Sequence, residues 1–151
     1  MPHSLSVAYL HLIFSTKNRQ PFLRDKTTRE ALHEYIGGIS NGRDCPIVRV
    51  GGVEDHVHIL SRFGRMISQS EWVKEIKRSS SLWIKKQGSE YSLFQWQEVY
   101  AIFSVSQSRI ASIRNYIEHQ EEHHRQQQYQ DELRSLYVHH QEEVDEREMW
   151  E

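Results

Sequence analysis

The order in which two hydrophobic periodicities alternate along the chain constrains its fold most. Val7 to Phe14 is an apolar, β-rich run followed by a polar loop, Ser15 to Pro21. From Asp25, a plausible helix cap, to about Ile39, apolar residues Ala31, Leu32, Tyr35 and Ile36 recur with helical spacing, and Gly37, Gly38, Asn41 and Gly42 are read as closing that helix. Ile47–Val53 and His56–Phe63 are two short strands joined at Glu54-Asp55. Ser68 to Gln87 is again helical, with Trp72, Ile76 and Trp83 on its apolar side. Trp96 to Val105 returns to strand character, and Ser106 to about Gln128 reads as one long polar helix carrying Ile110, Ile113 and Ile117. The order β-α-β-β-α-β predicts an α+β fold. Its form is the ferredoxin-like split βαβ, an antiparallel sheet with helices on one face and a C-terminal helix bearing Tyr116. The second sheet face is left for a ligand, a partner or that last helix.

At 151 residues the chain suits one domain, with residues 1–130 as its body and 131–151 as an acidic tail of the same domain. The tail holds eight acidic residues against Arg134 and Arg147, which leaves 17 basic and 13 acidic residues before it. A body of that balance permits polyanion binding without requiring it. No apolar run is long enough to span a bilayer, and no export signal is visible, so a cytoplasmic protein without a membrane partner is expected. The lone Cys45 excludes an internal disulfide and a multi-cysteine zinc site; it is expected to be a buried or loop residue.

Two segments carry chemistry. In His56-Val57-His58-Ile59, alternation along a strand turns both imidazoles to one face and Val57 and Ile59 to the core. Such a pair can hold one divalent metal, although two nearby histidines are by themselves more often ordinary polar residues. In Tyr116-Ile117-Glu118-His119-Gln120, helical spacing stacks Tyr116 and Gln120 on one face, which offers a nucleophile and a neutral oxygen ligand together. Either segment alone is bland.

Together they resemble the single-tyrosine HUH transposases of the insertion-sequence 200/605 type, including the repeat-associated tyrosine transposases. Phe94-Gln95-Trp96-Gln97 and Tyr100 to Ser106 are similar to the family's last strand, Gln120 to His124 to its tyrosine helix, and Glu148 to Glu151 to its usual carboxyl end. Val99 and Ala101 stand where the family often has glycine. The resemblance implies a divalent ion, Mg²⁺ or Mn²⁺, held by His56, His58 and Gln120, with Tyr116 as nucleophile. It also implies single-stranded DNA with hairpins as substrate and a homodimer in which Tyr116 can complete the partner's histidine pair. Lys17, Arg19 and the helix bearing Lys74, Lys77, Arg78, Lys85 and Lys86 are candidate phosphate contacts; a solvated basic helix face explains the latter equally well. Trp72, Trp83 and Trp96 are expected in the core rather than stacked on bases. His119, His123 and His124 flank the proposed ligand and are left outside the site. Asp55 and Glu54 are candidates to orient the histidines. Three alternatives stay open: a replication-initiator or relaxase-type nickase, a domesticated non-catalytic hairpin-binding protein, and a metal-dependent hydrolase, which would require an acidic ligand or a water-activating base. The recognised hairpin and the physiological metal are not encoded legibly.

Overall fold

The computed structural model describes residues 5–125 and 127–139. Four strands, β1 (Tyr9–Ser15), β2 (Ile47–Gly52), β3 (His56–Arg62) and β4 (Ala101–Val105), form one antiparallel sheet in the order β2-β3-β1-β4. Helix α1 (Lys26–Gly42) and helix α2 (Gln69–Lys85) are the two crossovers. Three shorter helices follow: α3 (Ile110–Glu118), α4 (Gln120–His123) and α5 (Tyr129–His139). This is the expected α+β split βαβ arrangement.

The alternation of β1 divides the molecule into two cores. Leu10, Leu12 and Phe14 point to one face, where Val57 and Ile59 join Leu32, Ile36, Trp72, Val73 and Ile76 of α1 and α2. Ile13 points to the other, where Ala101 and Phe103 meet Tyr129 and Leu133 of α5. Both crossover helices start on side-chain caps: Asp25 accepts from the Thr28 amide and Ser68 from the Glu71 amide. Helix α1 runs through Gly37 and Gly38 to Gly42, past the expected stop near Ile39. Gly37 is buried there, so tertiary packing outweighs its low propensity.

Two expectations are corrected. Strand β4 begins at Ala101 rather than Trp96, which makes only an isolated bridge to Thr16. The intervening carbonyls of Gln97, Glu98 and Val99 are taken by the Lys77 ammonium at 2.7, 3.2 and 3.1 Å, which holds them out of a ladder. The expected single helix from Ser106 to Gln128 is broken at His119 (φ −107°, ψ 27°). The His119 ring Nδ1 bonds the Asn115 carbonyl at 2.7 Å, the acceptor a continuous helix would reserve for the His119 amide, and that amide turns to Tyr116 instead. The chain then reverses and α5 returns over the sheet. The boundary drawn at 130/131 therefore falls inside α5, and the carboxyl-terminal likeness at Glu148 to Glu151 lies outside the described residues.

Candidate active site

Histidines 56 and 58 project from β3 onto the sheet face beneath α3, α4 and α5, and both are fully buried. Each is held through Nδ1. Asp55 Oδ1 accepts from His56 Nδ1 at 2.7 Å, and His58 Nδ1 shares a 2.8 Å hydrogen bond with Nε2 of buried His11 on β1. These contacts leave the two Nε2 atoms turned inward to a common point. The Asp55 contact matches the orienting role expected of it.

Glutamate 132 occupies that point, a position no local pattern foretells. Its Oε1 lies 3.2 Å from His56 Nε2, 3.0 Å from His58 Nε2 and 3.0 Å from His124 Nε2. Its Oε2 accepts from the Tyr116 hydroxyl and, at 3.1 Å, from the Gln120 amide. Gln120 Oε1 also bonds His56 Nε2 at 3.2 Å. Tyr116, Gln120, His56 and His58 are thus brought together within one chain, and His124 joins them. The His58 and Tyr116 rings are 5.8 Å apart, and His123 stacks on Tyr116 at 4.6 Å rather than reaching the histidine pair. His119 stays exposed.

Electrostatics follow from that packing. Burial pushes the Glu132 carboxyl up, but the positive field of His58 and hydrogen bonds from His124, His56 and His58 outweigh it and hold it far below the carboxylate range. Burial pulls His56 down, yet Asp55 and Glu132 hold it up at about 9. Burial prevails at His58, which is lowered. Burial and the Glu132 charge raise the Tyr116 phenol well above its ordinary value.

The donor set suits a divalent cation. One ligand atom from each of His56, His58, His124 and Glu132 lies within 4.8 Å of the others, and the Nδ1 contacts of His56 and His58 turn their Nε2 atoms toward the same point. Two of these four candidate donors, His124 and Glu132, were missed. Both sit beyond the helix break, and no spacing rule foretells where a reversed chain returns.

Of the basic residues, Lys17, Lys77 and Arg78 line one open cleft. Lys17 and Arg19 are exposed just past β1, whose last residue, Ser15, pairs with His56. Lys74, Arg78, Lys85 and Lys86 are exposed on α2, which packs on the opposite sheet face. Arg78 is also paired with Glu75 at 2.6 Å. Lys77 turns inward to its three carbonyls and to the Phe14 ring, 5.0 Å away, and burial lowers it to about 8. Its ammonium serves the fold, at the floor of the cleft it lines with Lys17 and Arg78. Trp72 and Trp96 are buried, with ring N–H groups donated to Ser40 and Ser80, and Trp83 packs against Tyr35. Cys45 is buried and accepts from the Gly64 amide through Sγ. No helix among the described residues is long and apolar enough to cross a membrane.

The family model described as "Transposase IS200 like" matches residues 4–120. Among solved structures, a protein of Deinococcus radiodurans R1 provisionally assigned as a transposase is similar, with TM-score 0.62, 23% identity, and coverage of 80% of this chain and 95% of that one. A REP-associated tyrosine transposase bound to a REP hairpin is similar as well, with TM-score 0.60, 15% identity, and coverage of 82% of this chain and 72% of that one. No curated protein matches the sequence significantly.

Proposed function

Because the chain belongs to the IS200-like transposase family, we propose that it cleaves and rejoins single-stranded DNA at hairpin-bearing ends through a phosphotyrosine at Tyr116. One observation supports this above all: the Tyr116 hydroxyl, Gln120 and the two histidines all bond the same carboxylate, so nucleophile and candidate cation site touch within one chain. The Tyr116 oxygen attacks phosphorus, the bond from phosphorus to the 3′-oxygen breaks, and that oxygen leaves as a hydroxyl. The Tyr116 hydroxyl donates to Glu132 Oε2, which orients its oxygen; the phenol proton is passed on to the departing 3′-oxygen. A 5′-phosphotyrosine and a free 3′-OH result, and attack of a 3′-OH on the ester rejoins DNA without an energy source.

Burial and the Glu132 charge hold the Tyr116 phenol above its ordinary value, so attack calls for added positive charge. A divalent ion at His56, His58, Gln120, His124 and Glu132 would supply the missing positive charge, both to the phenol oxygen and to the phosphate under attack. Imidazole-rich donors favour Mn²⁺ or a later ion over Mg²⁺. Lys17 and Arg19, at the His56 end of the sheet, are the phosphate contacts favoured by position, with Arg78 in the same cleft as Lys17 and Lys74 one turn along α2. The REP-hairpin complex of a structurally similar protein supports a hairpin as ligand.

A second reading is favoured by Glu132 itself: three imidazoles and a carboxylate are also the donors of a metal-dependent hydrolase. Labelled single-stranded DNA from both flanks of the gene, incubated with Mn²⁺ and run on a denaturing gel, separates the two. Tyrosine transfer gives a protease-sensitive covalent band that is lost in Tyr116→Phe and His56→Ala. Cleavage that persists in Tyr116→Phe and stops in Glu132→Gln would establish hydrolysis and overturn transfer.

A further inference from the structure

Beside the candidate active site a cleft of about 300 Å³ wraps the outer edge of β2, between α1 and the α3–α4 segment. That volume is at the lower limit of small-ligand pockets, which run about 300–1,000 Å³. Gln120 belongs to its wall, and Gly51 and Gly52 in the wall pair with His58 and Val57 of β3. The cleft and the catalytic residues are therefore neighbours on one surface.

His33 of α1 also lines it, and His33 Nε2 is the one buried side-chain nitrogen or oxygen without a hydrogen-bond partner among the described residues. Native interiors rarely leave such a group unmet unless something else meets it. Burial and the nearby Arg29 and Arg49 hold this imidazole down at about 3, so it is neutral at working pH and offers a hydrogen bond rather than a charge. Its wall carries four cations, Lys26, Arg29, Arg49 and Arg125, against four carboxylates, Glu30, Glu118, Glu121 and Glu122, with Arg29 and Lys26 paired to Glu121 and Arg49 to Glu118. A bare phosphate would gain little in that field. A flat, neutral ligand with donors and acceptors on its rim fits better, and no described strand pairs with the outer edge of β2, whose amides and carbonyls flank the cleft.

We propose that this cleft receives one unpaired nucleobase of the DNA strand, next to the phosphate under attack, and that His33 Nε2 reads its edge. This rests on the DNA-transfer reading above. It makes His33 a specificity-determining residue rather than a catalytic one, in the way proteins read bases splayed out of a stack.

The test is equilibrium binding by fluorescence anisotropy, without metal so that cleavage does not intrude. The probes are single-stranded oligonucleotides from the gene's flanks, intact or with one abasic site stepped through the cleavage region. The wild-type protein should lose about tenfold in affinity at one abasic position beside the cleaved phosphate. His33→Leu should bind the intact strand about tenfold more weakly and no longer respond to that abasic site, and His33→Gln should recover part of the loss. Because leucine removes an unmet buried polar atom, the melting temperature of His33→Leu should hold or rise, which separates lost recognition from lost folding. A His33→Leu protein with the wild-type abasic profile would overturn the cleft assignment while leaving DNA transfer standing. Absence of any oligonucleotide binding by the wild-type protein would overturn both.

Discussion

A partner at Nδ1 of His58 fixes the tautomer and ring orientation that present Nε2 for ligation, and buried His11 stands there at 2.8 Å. Replacing such an orienting partner commonly costs about 10–100-fold in metal affinity. His11→Ala should weaken Mn²⁺ binding by that order in calorimetry, whereas His11→Gln, which keeps an acceptor at the same reach, should retain most of it. Unchanged affinity in His11→Ala would show that His58 is oriented by packing alone. His56 sets a second expectation at this scale. Its folded value of about 9 lies above the free imidazole's, so its stabilising charge is fully present below about pH 6.5 and is lost as pH rises through about 9. Chelator-treated protein should therefore melt at lower temperature at pH 10 than at pH 7, and His56→Gln should remove most of that difference.

Among elements, the decisive contact is α3 on β2. A Cβ added to Gly51 would lie 2.6 Å from the Ile117 carbonyl oxygen, and backbone cannot yield there as a flexible side chain can. Gly51→Ala should cost about 1–3 kcal/mol of stability in urea unfolding. It should also depress covalent-adduct formation more than the stability loss explains, because Ile117 adjoins Tyr116. Wild-type adduct yield in a destabilised Gly51→Ala protein would separate helix seating from catalysis. The same region marks the limit of what the sequence discloses. Strand alternation at His56 and His58, and the caps at Asp25 and Ser68, are local patterns, and the structure reproduces them. The break at His119 has no glycine or proline to announce it. It depends on a side chain competing for one carbonyl, and from it follow the missed ligands His124 and Glu132. Lys77 was misjudged for a related reason: a lysine on a polar helix looks solvated until the loop that needs its ammonium is in place.

At the scale of the molecule, β1 lies at the centre of the sheet, bonded to β3 on one side and β4 on the other. It presents Phe14 to the α1–α2 core while Ile13 faces α5. The second face, expected to await a ligand or the last helix, is covered by α3, α4 and α5, and the polar site is enclosed between them and the strands. Tyr116 meets its own histidines in this arrangement, although the family resemblance had suggested a partner's. A mixture of Tyr116→Phe and His56→Ala chains should therefore remain inactive in the adduct assay. Recovery of activity on mixing would show that tyrosines are exchanged between subunits on DNA.

The closure of nucleophile and ligands on a single Glu132 carboxylate also fixes how the reaction scales with dilution. On the proposed reading each molecule carries a complete reacting unit, so at saturating DNA the initial rate per molecule should stay constant from micromolar to sub-nanomolar protein. A site shared between chains would instead fade as its partners drift apart.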